Sequence, residues 1–278
     1  MEPDVPRSFS LPEALINLIE NTAYRLAQKQ SGRVRVNDLA CELPLSLEII
    51  EEGLSHMLRA NAISTSEEDG LKLYIFPALS TEPSTGPMDP ELCVACQERG
   101  PKGAWLCRNC ERKLRQGLQE LSGPVDWTEV ALQQHALLHL ASQHPGPISP
   151  SFLAANTPYT FEKIEGLVEQ MCQRGYAKLN LDQAEEGLFY DIPTRSYPEQ
   201  QLKMQQGFME ACRSAAVSTL DQLVAKVAIK LGVLVLALLA LSLMRIPPRM
   251  IVIGFLCSTP LLIAWEWRKY KKLTHPRS

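Results

Sequence analysis

Four cysteines carry the most specific chemistry in this chain. Cys93-Val-Ala-Cys96 and Cys107-Arg-Asn-Cys110 are two CxxC pairs separated by ten residues. Each pair can turn two thiolates toward one point, and two such turns supply the four sulfurs that zinc takes in a tetrahedron. Four protein sulfurs leave no coordination position open for water, so the spacing predicts a structural zinc site rather than a catalytic one. A redox dithiol pair shares the CxxC spelling, and an iron–sulfur centre also takes four thiolates; both stand as alternatives. Cys41 and Cys172 fall in the predicted helical cores, Cys212 in the stalk and Cys257 in the expected membrane segment, and buried free cysteine reads as a small hydrophobe. With no secretory pattern at the start of the sequence, this usage fits a reducing cytosol.

The residues around the cysteines predict how they are held. Gly100-Pro101-Lys102-Gly103 reads as a tight turn, Ala104 to Leu106 as a short strand returning to the second pair, and Glu111 to Leu121 as a helix. Residues 91–122 therefore resemble a small zinc ribbon or treble-clef finger. The resemblance implies a module that depends on its metal, because a segment this short buries little core.

On either side of this module the sequence repeats itself at a shift of 114 positions. Leu18, Leu26, Gly32, Leu39, Pro44, Glu48, Glu51 and Met57 fall on Leu132, Leu140, Gly146, Leu153, Pro158, Glu162, Glu165 and Met171. Most of these are core or turn positions, so the punctuation repeats along with the apolar pattern. Leu11 to Gln28 and Asp126 to Gln143 show the three- and four-residue spacing of an amphipathic helix. A brief helix follows around Leu39 and Leu153, and Pro44 and Pro158 stop it. Ser46 and Thr160 then stand where an N-cap would accept, opening a third helix that runs to about Ala60 and Arg174. Asn61 and Gly175 suit the left-handed closing turn. Ile63 to Thr65 with Leu71 to Phe76, and Tyr176 to Leu181 with Leu188 to Ile192, read as hairpins.

Three helices and a two-stranded hairpin resemble the winged-helix fold, over residues 10–78 and 123–196. The expected fold class is α+β, mainly α: two winged helices separated by a zinc finger, then a helical stalk and a two-helix membrane hairpin. The winged-helix fold serves both DNA readers and protein-docking modules, so charge must separate the two. A DNA reader lines its third helix with Lys and Arg, since phosphate neutralisation supplies most of the affinity. Here the third helices offer Glu48, Glu51 and Glu52 against Arg59, and Glu162, Glu165 and Glu169 against Lys163 and Arg174. Residues 1–80 and 124–198 are each net negative by five. An acidic surface repels a polyanion, so these six glutamates are read as candidate partner-binding residues for a protein. His135 and His139 lie four apart on a helix, but their counterparts are Asn21 and Arg25, so both are expected to face solvent.

After residue 197 the composition changes. Residues 1–9 read as a disordered start and 79–90, with Pro83 and Pro87, as a linker. Residues 197–224 read as an amphipathic stalk able to pair with another copy of the chain. Residues 225–267 hold two apolar runs broken by Arg245-Ile-Pro-Pro-Arg249, where the prolines mark a bend. Two spans of this kind predict an integral membrane hairpin, with one-leaflet insertion and a soluble hairpin as rivals. Lys226, Lys230, Arg245, Arg249, Trp265, Trp267, Arg268 and Lys269 are its expected membrane-interface residues. The basic tail 268–278 places both termini in the cytosol by the positive-inside rule.

No nucleophile with a partnered base, phosphate-cradling glycine loop or metal–carboxylate motif is visible, so an enzyme is not expected. The sequence predicts a membrane-anchored, cytosol-facing adaptor in which two acidic winged helices and a structural Zn2+ finger gather a soluble protein partner at the lipid bilayer. A membrane-tethered regulator that binds DNA and a thiol-redox protein are the alternatives.

Overall fold

The two stretches that repeat in sequence also fold in register. A computed structural model describes residues 10–79, 92–100, 105–121, 125–144, 146–181 and 187–214. The first copy runs α1 (Glu13–Lys29), β1 (Arg33–Val34), α2 (Val36–Glu42), α3 (Leu47–Arg59), β2 (Ser64–Glu68) and β3 (Leu71–Ile75). Helix α4 (Arg108–Glu120) belongs to the cysteine module. The second copy is α5 (Trp127–Gln143), α6 (Pro150–Ala155), α7 (Phe161–Gln173), β4 (Lys178–Asn180) and β5 (Phe189–Asp191). Helices α1 and α5 begin 114 positions apart, and so do α2 and α6, α3 and α7, and β2 and β4.

Local chemistry explains where these elements start and stop. Ser46 accepts the Ile49 N–H at 3.4 Å at the head of α3, and Asp126 accepts the Thr128 and Glu129 N–H groups at the head of α5. Thr160, expected to cap α7, makes no side-chain cap hydrogen bond. Asn61 and Gly175 close α3 and α7 at φ of 56° and 74°, the left-handed region where asparagine and glycine are tolerated. In the first copy, β3 lies between β1 and β2 in an antiparallel sheet. In the second, β4 pairs with β5, and Ile148 bridges Tyr190 where β1 would stand. Leu15, Leu18, Ile19, Leu39, Ile50, Leu54 and Phe76 fill the first core. Helix α3 crosses α1 closely because position 53 is glycine: a Cβ there would meet Ile19 Cδ1 at 2.7 Å.

The chain divides into two compact units, Met1–Glu210 and Ala211–Ser278. Within the first unit the two copies are packed together. The loop between α2 and α3 buries Leu43 and Leu45, and the Leu45 carbonyl oxygen lies 3.1 Å from His135 Nε2 on α5. The Lys72 N–H on β3 donates to the Gly175 carbonyl oxygen at 2.9 Å, and Asn37 Nδ2 donates to the carbonyls of Tyr176 and Pro193. Helix α5 is therefore covered on more than one side, with Gln133, Gln134, His135, Leu137, Leu138 and His139 all buried.

Residues 199–214 form a helix, α8, on the segment expected to be a stalk. Over 199–210 it packs within the first unit: Leu202, Gln205 and Met209 are buried. Gln201 and Gln205 each donate to the Cys41 carbonyl oxygen, at 2.6 and 3.0 Å. The Phe208 ring meets Trp105 edge-on at 6.2 Å, and the Arg115 guanidinium stands 5.1 Å from its centroid. A thin apolar stripe with glutamines between its members thus serves an intramolecular contact.

The membrane expectation is corrected. Among the described residues no helix is long and apolar enough to cross a membrane. The longest of the bounded helices, α1 and α5, have 17 residues, short of the roughly 20 that a hydrocarbon core requires. Helix α1 also carries Glu13, Glu20, Arg25 and Lys29 along its length. The two spans expected over 225–267, with Lys226, Lys230, Arg245, Arg249, Trp265, Trp267, Arg268 and Lys269, lie outside the described residues. The fold described is mainly α with two small antiparallel sheets, and the integral-membrane location is withdrawn.

Candidate metal centre

The cysteine module is a knuckle followed by a helix. Cys93 donates its N–H to the Glu98 carbonyl and accepts the Gln97 N–H, while Leu92 bridges Arg99. Gln97 sits at φ 61°, and this left-handed residue reverses the chain. The Val94 N–H donates to the Trp105 carbonyl oxygen at 2.9 Å, drawing the second CxxC pair against the first. Residues 105 and 106 are bends, not the expected strand. Cys107 then stands at the N-cap of α4, and Cys110 lies in its first turn. The helix begins three residues earlier than its sequence pattern suggests, so its N-cap and first turn hold both cysteines of the second pair.

This geometry brings the four Sγ atoms within 4.8 Å of one another, with Cys96 and Cys107 at 3.5 Å. A tetrahedron built on metal–sulfur bonds of about 2.3 Å has edges of about 3.8 Å, so the spacing suits one ion shared by all four. Electrostatics lead to the same conclusion. Burial works against a thiolate at Cys93, but backbone hydrogen bonds from Cys107, Cys96 and Ala95 outweigh it and hold its pKa below the ordinary thiol value. Burial pushes Cys96 up to about 11. Cys110 is also raised, by burial and then by the charge on Cys93. Crowded thiols with no cation resist full ionisation, and a divalent ion removes that resistance.

The module is seated on the first copy. Helix α4 crosses α1 where Gly117 faces Leu15, and a Cβ at 117 would lie 2.4 Å from Leu15 Cγ. Arg25 of α1 is only 7% exposed; its Nη1 donates to the Cys93 carbonyl oxygen at 3.3 Å and its Nη2 stands 3.8 Å from Glu42 Oε2. Glu42 also accepts from Arg195. The sequence reading missed Arg25, although one signal was present: its counterpart in the second copy is His139, so the repeat breaks where the module touches.

The six glutamates expected to bind a partner fall into two groups. Glu48 is 3% exposed, and both its carboxylate oxygens accept from Gln134 Nε2, at 2.9 and 3.0 Å. Glu51 takes Lys72 Nζ at 2.6 Å and Arg174 Nη1 at 3.1 Å. Burial opposes its charge, but the Lys72 hydrogen bond, with the Lys72 and Arg174 charges, outweighs it, and its pKa lies below the ordinary value. Glu52 pairs with Arg59 at 2.6 Å. Glu162 and Glu169 are exposed and Glu165 is half-buried. The structure thus uses Glu48 and Glu51 inside the molecule and leaves their counterparts Glu162 and Glu165 at the surface.

The expectation that His135 and His139 face solvent is corrected. His135 is fully buried, with Nδ1 2.7 Å from the Tyr197 hydroxyl and Nε2 3.1 Å from the Leu45 carbonyl oxygen. His139 is 9% exposed, with Nδ1 2.8 Å from the Tyr197 carbonyl oxygen. The comparison with Asn21 fails because α5 carries the first copy on a face that α1 leaves open.

Together the described fold and site define a mainly helical chain with an internal repeat and a four-cysteine cluster that could hold a metal ion. No protein-family model, no curated protein and no solved structure matches the chain.

Proposed function

We propose that this chain is a protein-docking module assembled on a structural zinc site, with α7 of the second copy as its docking helix. Zinc is the ion that four convergent thiolates favour, because it has no redox chemistry to perform and accepts a tetrahedral sulfur set. An iron–sulfur cluster would hold its thiolates further apart than a single ion does. The order α1-β1-α2-α3-β2-β3, with β3 central in the sheet, supports the winged-helix reading of the first copy.

One observation carries the docking reading. Glu48 and Glu51 on α3 are met by Gln134 and Arg174 of the second copy, whereas of their equivalents on α7 Glu162 is exposed and Glu165 half-buried. The occupied face indicates what the open one would take: a partner surface presenting an amide near the first turn of α7 and a basic side chain one turn later, the groups that Gln134 and Arg174 supply to α3 from two different elements. Exposed Phe161 stands where Leu47 is fully buried at the occupied face. The DNA reading draws no support from this arrangement, since the head of α3 is covered and the open face of α7 is acidic.

The test is a labelled peptide of residues 127–143 carrying Ala131→Lys and Leu138→Lys, one turn to either side of Gln134, titrated with zinc-loaded full-length protein, with random duplex DNA in parallel. Saturable peptide binding that is lost in the Glu162→Lys, Glu165→Lys double variant supports docking through α7. Binding indifferent to both substitutions, or tight DNA binding that weakens steeply with salt, overturns it.

A further inference from the structure

The geometry points to Arg25 as a positioning residue for the metal centre, the buried counter-charge of the thiolate–metal site, joined through Glu42 and Arg195 to the segment that leaves the second copy. This rests on the reading of the four cysteines as a zinc site. A divalent ion on four thiolates carries a net double negative charge, and such sites are tuned by the groups that surround their ligands. Arg25 places a guanidinium on a ligand residue, through the Cys93 carbonyl oxygen at 3.3 Å.

The charges around Arg25 leave it in need of an anion. Glu42 is 3.8 Å from it, a long contact, and is shared with Arg195, which makes the closer bond. Lys29 adds a further cation: its pKa is lowered by burial and then by the charge of Arg25. Among the described residues Arg25 Nε has no hydrogen-bond partner. A guanidinium at 7% exposure with half a carboxylate is poorly compensated. The Cys93 carbonyl oxygen accepts from Arg25 Nη1 at 3.3 Å, which sets the guanidinium beside the cysteine cluster. Burial costs the cation its hydration, and the same low dielectric strengthens its attraction to a negative metal site.

The internal repeat supplies a control. His139 occupies the equivalent position on α5, with its ring directed to the Tyr197 carbonyl oxygen. The arginine stands in the copy whose first helix carries the cysteine module. Arg195, the far end of the relay, lies four residues past the end of β5 and two past Pro193, whose carbonyl accepts from Asn37. Glu42 is therefore a structural tie between the two arginines, while the charge that faces the metal site is that of Arg25.

The experiment is zinc affinity by competition with a chromogenic chelator at neutral pH, on full-length wild type, Arg25→Gln, Arg25→Lys and Glu42→Gln, with thermal melting of each in zinc excess. Arg25→Gln should weaken zinc by about 10- to 100-fold, as loss of an outer-shell partner does. Arg25→Lys should keep the affinity within a few-fold of wild type. Glu42→Gln removes the structural pairing but keeps the cation, so it should lower the melting temperature and leave zinc affinity near wild type. Equal loss of affinity in Arg25→Gln and Glu42→Gln, or unchanged affinity in Arg25→Gln, overturns the inference while the zinc site stands. Failure of the wild type to hold zinc would overturn the zinc reading itself, and this inference with it.

Discussion

Gln134 of α5 binds Glu48 of α3 through both carboxylate oxygens, at 2.9 and 3.0 Å, while its own Oε1 accepts the Leu47 N–H at 2.7 Å. Glutamine is both donor and acceptor, so a single side chain satisfies an orphan amide at a helix head and an acid buried beside it. Gln134 is 1% exposed and Glu48 3%, leaving little room for water to replace either bond.

Replacing Gln134 with Leu should therefore cost about 2–4 kcal/mol, since a carboxylate and an amide would remain buried without partners. Urea unfolding of the zinc-loaded chain measures it. Glu162→Gln, at the exposed equivalent of Glu48, should stay within about 0.5 kcal/mol of wild type.

Two helical glycines should respond in opposite ways to alanine. At Gly117 the new Cβ would lie 2.4 Å from Leu15 Cγ, so α4 must shift from α1, at about 1–3 kcal/mol. Gly166 has nothing within 4 Å of a Cβ, and alanine there should stabilise α7 by up to about 1 kcal/mol. Leu15→Ala combined with Gly117→Ala should recover part of the loss, which a double-mutant cycle in urea would read.

Acid should destabilise the fold through His135. Burial lowers its pKa from 6.5 to about 4. Between those values the unfolded chain binds a proton that the folded chain refuses. Stability from this group is complete above pH 6.5 and falls as pH drops, by about 3 kcal/mol at pH 4. His135→Gln should flatten that part of the pH dependence, seen as a smaller change in unfolding free energy from pH 7 to pH 4.

Stripping the metal should loosen α4 before the copies. The cysteine module buries Val94, Ala95, Leu106, Leu114 and Leu121, a core too small to hold the two CxxC pairs together without the ion. A strong chelator, or Cys110→Ser, should raise amide exchange across residues 108–120 well above that in α1. Metal analysis of the purified chain should return zinc in stoichiometric amount, and equal exchange with and without chelator would refute the staple.

Much of this was legible in the sequence because it was local. The CxxC spacing determines which sulfurs can meet, since each pair spans one turn of chain. The 114-residue shift carried the helix starts, the closing turns at Asn61 and Gly175, and the hairpins, because caps and apolar periodicity act within a few residues. What the tertiary structure decided is which faces of those helices remain open. Periodicity marks one apolar side for a helix's own core, but cannot say whether its polar side meets water or a second copy. Gln134, His135 and His139 look like a solvent face on α5 until the loop between α2 and α3 is laid on it. Arg25 looks like surface charge until the cysteine module is seated against α1. Contacts between residues 68 or 86 positions apart leave no mark in a short window, and they are what turned two equivalent acidic helices into one buried and one exposed.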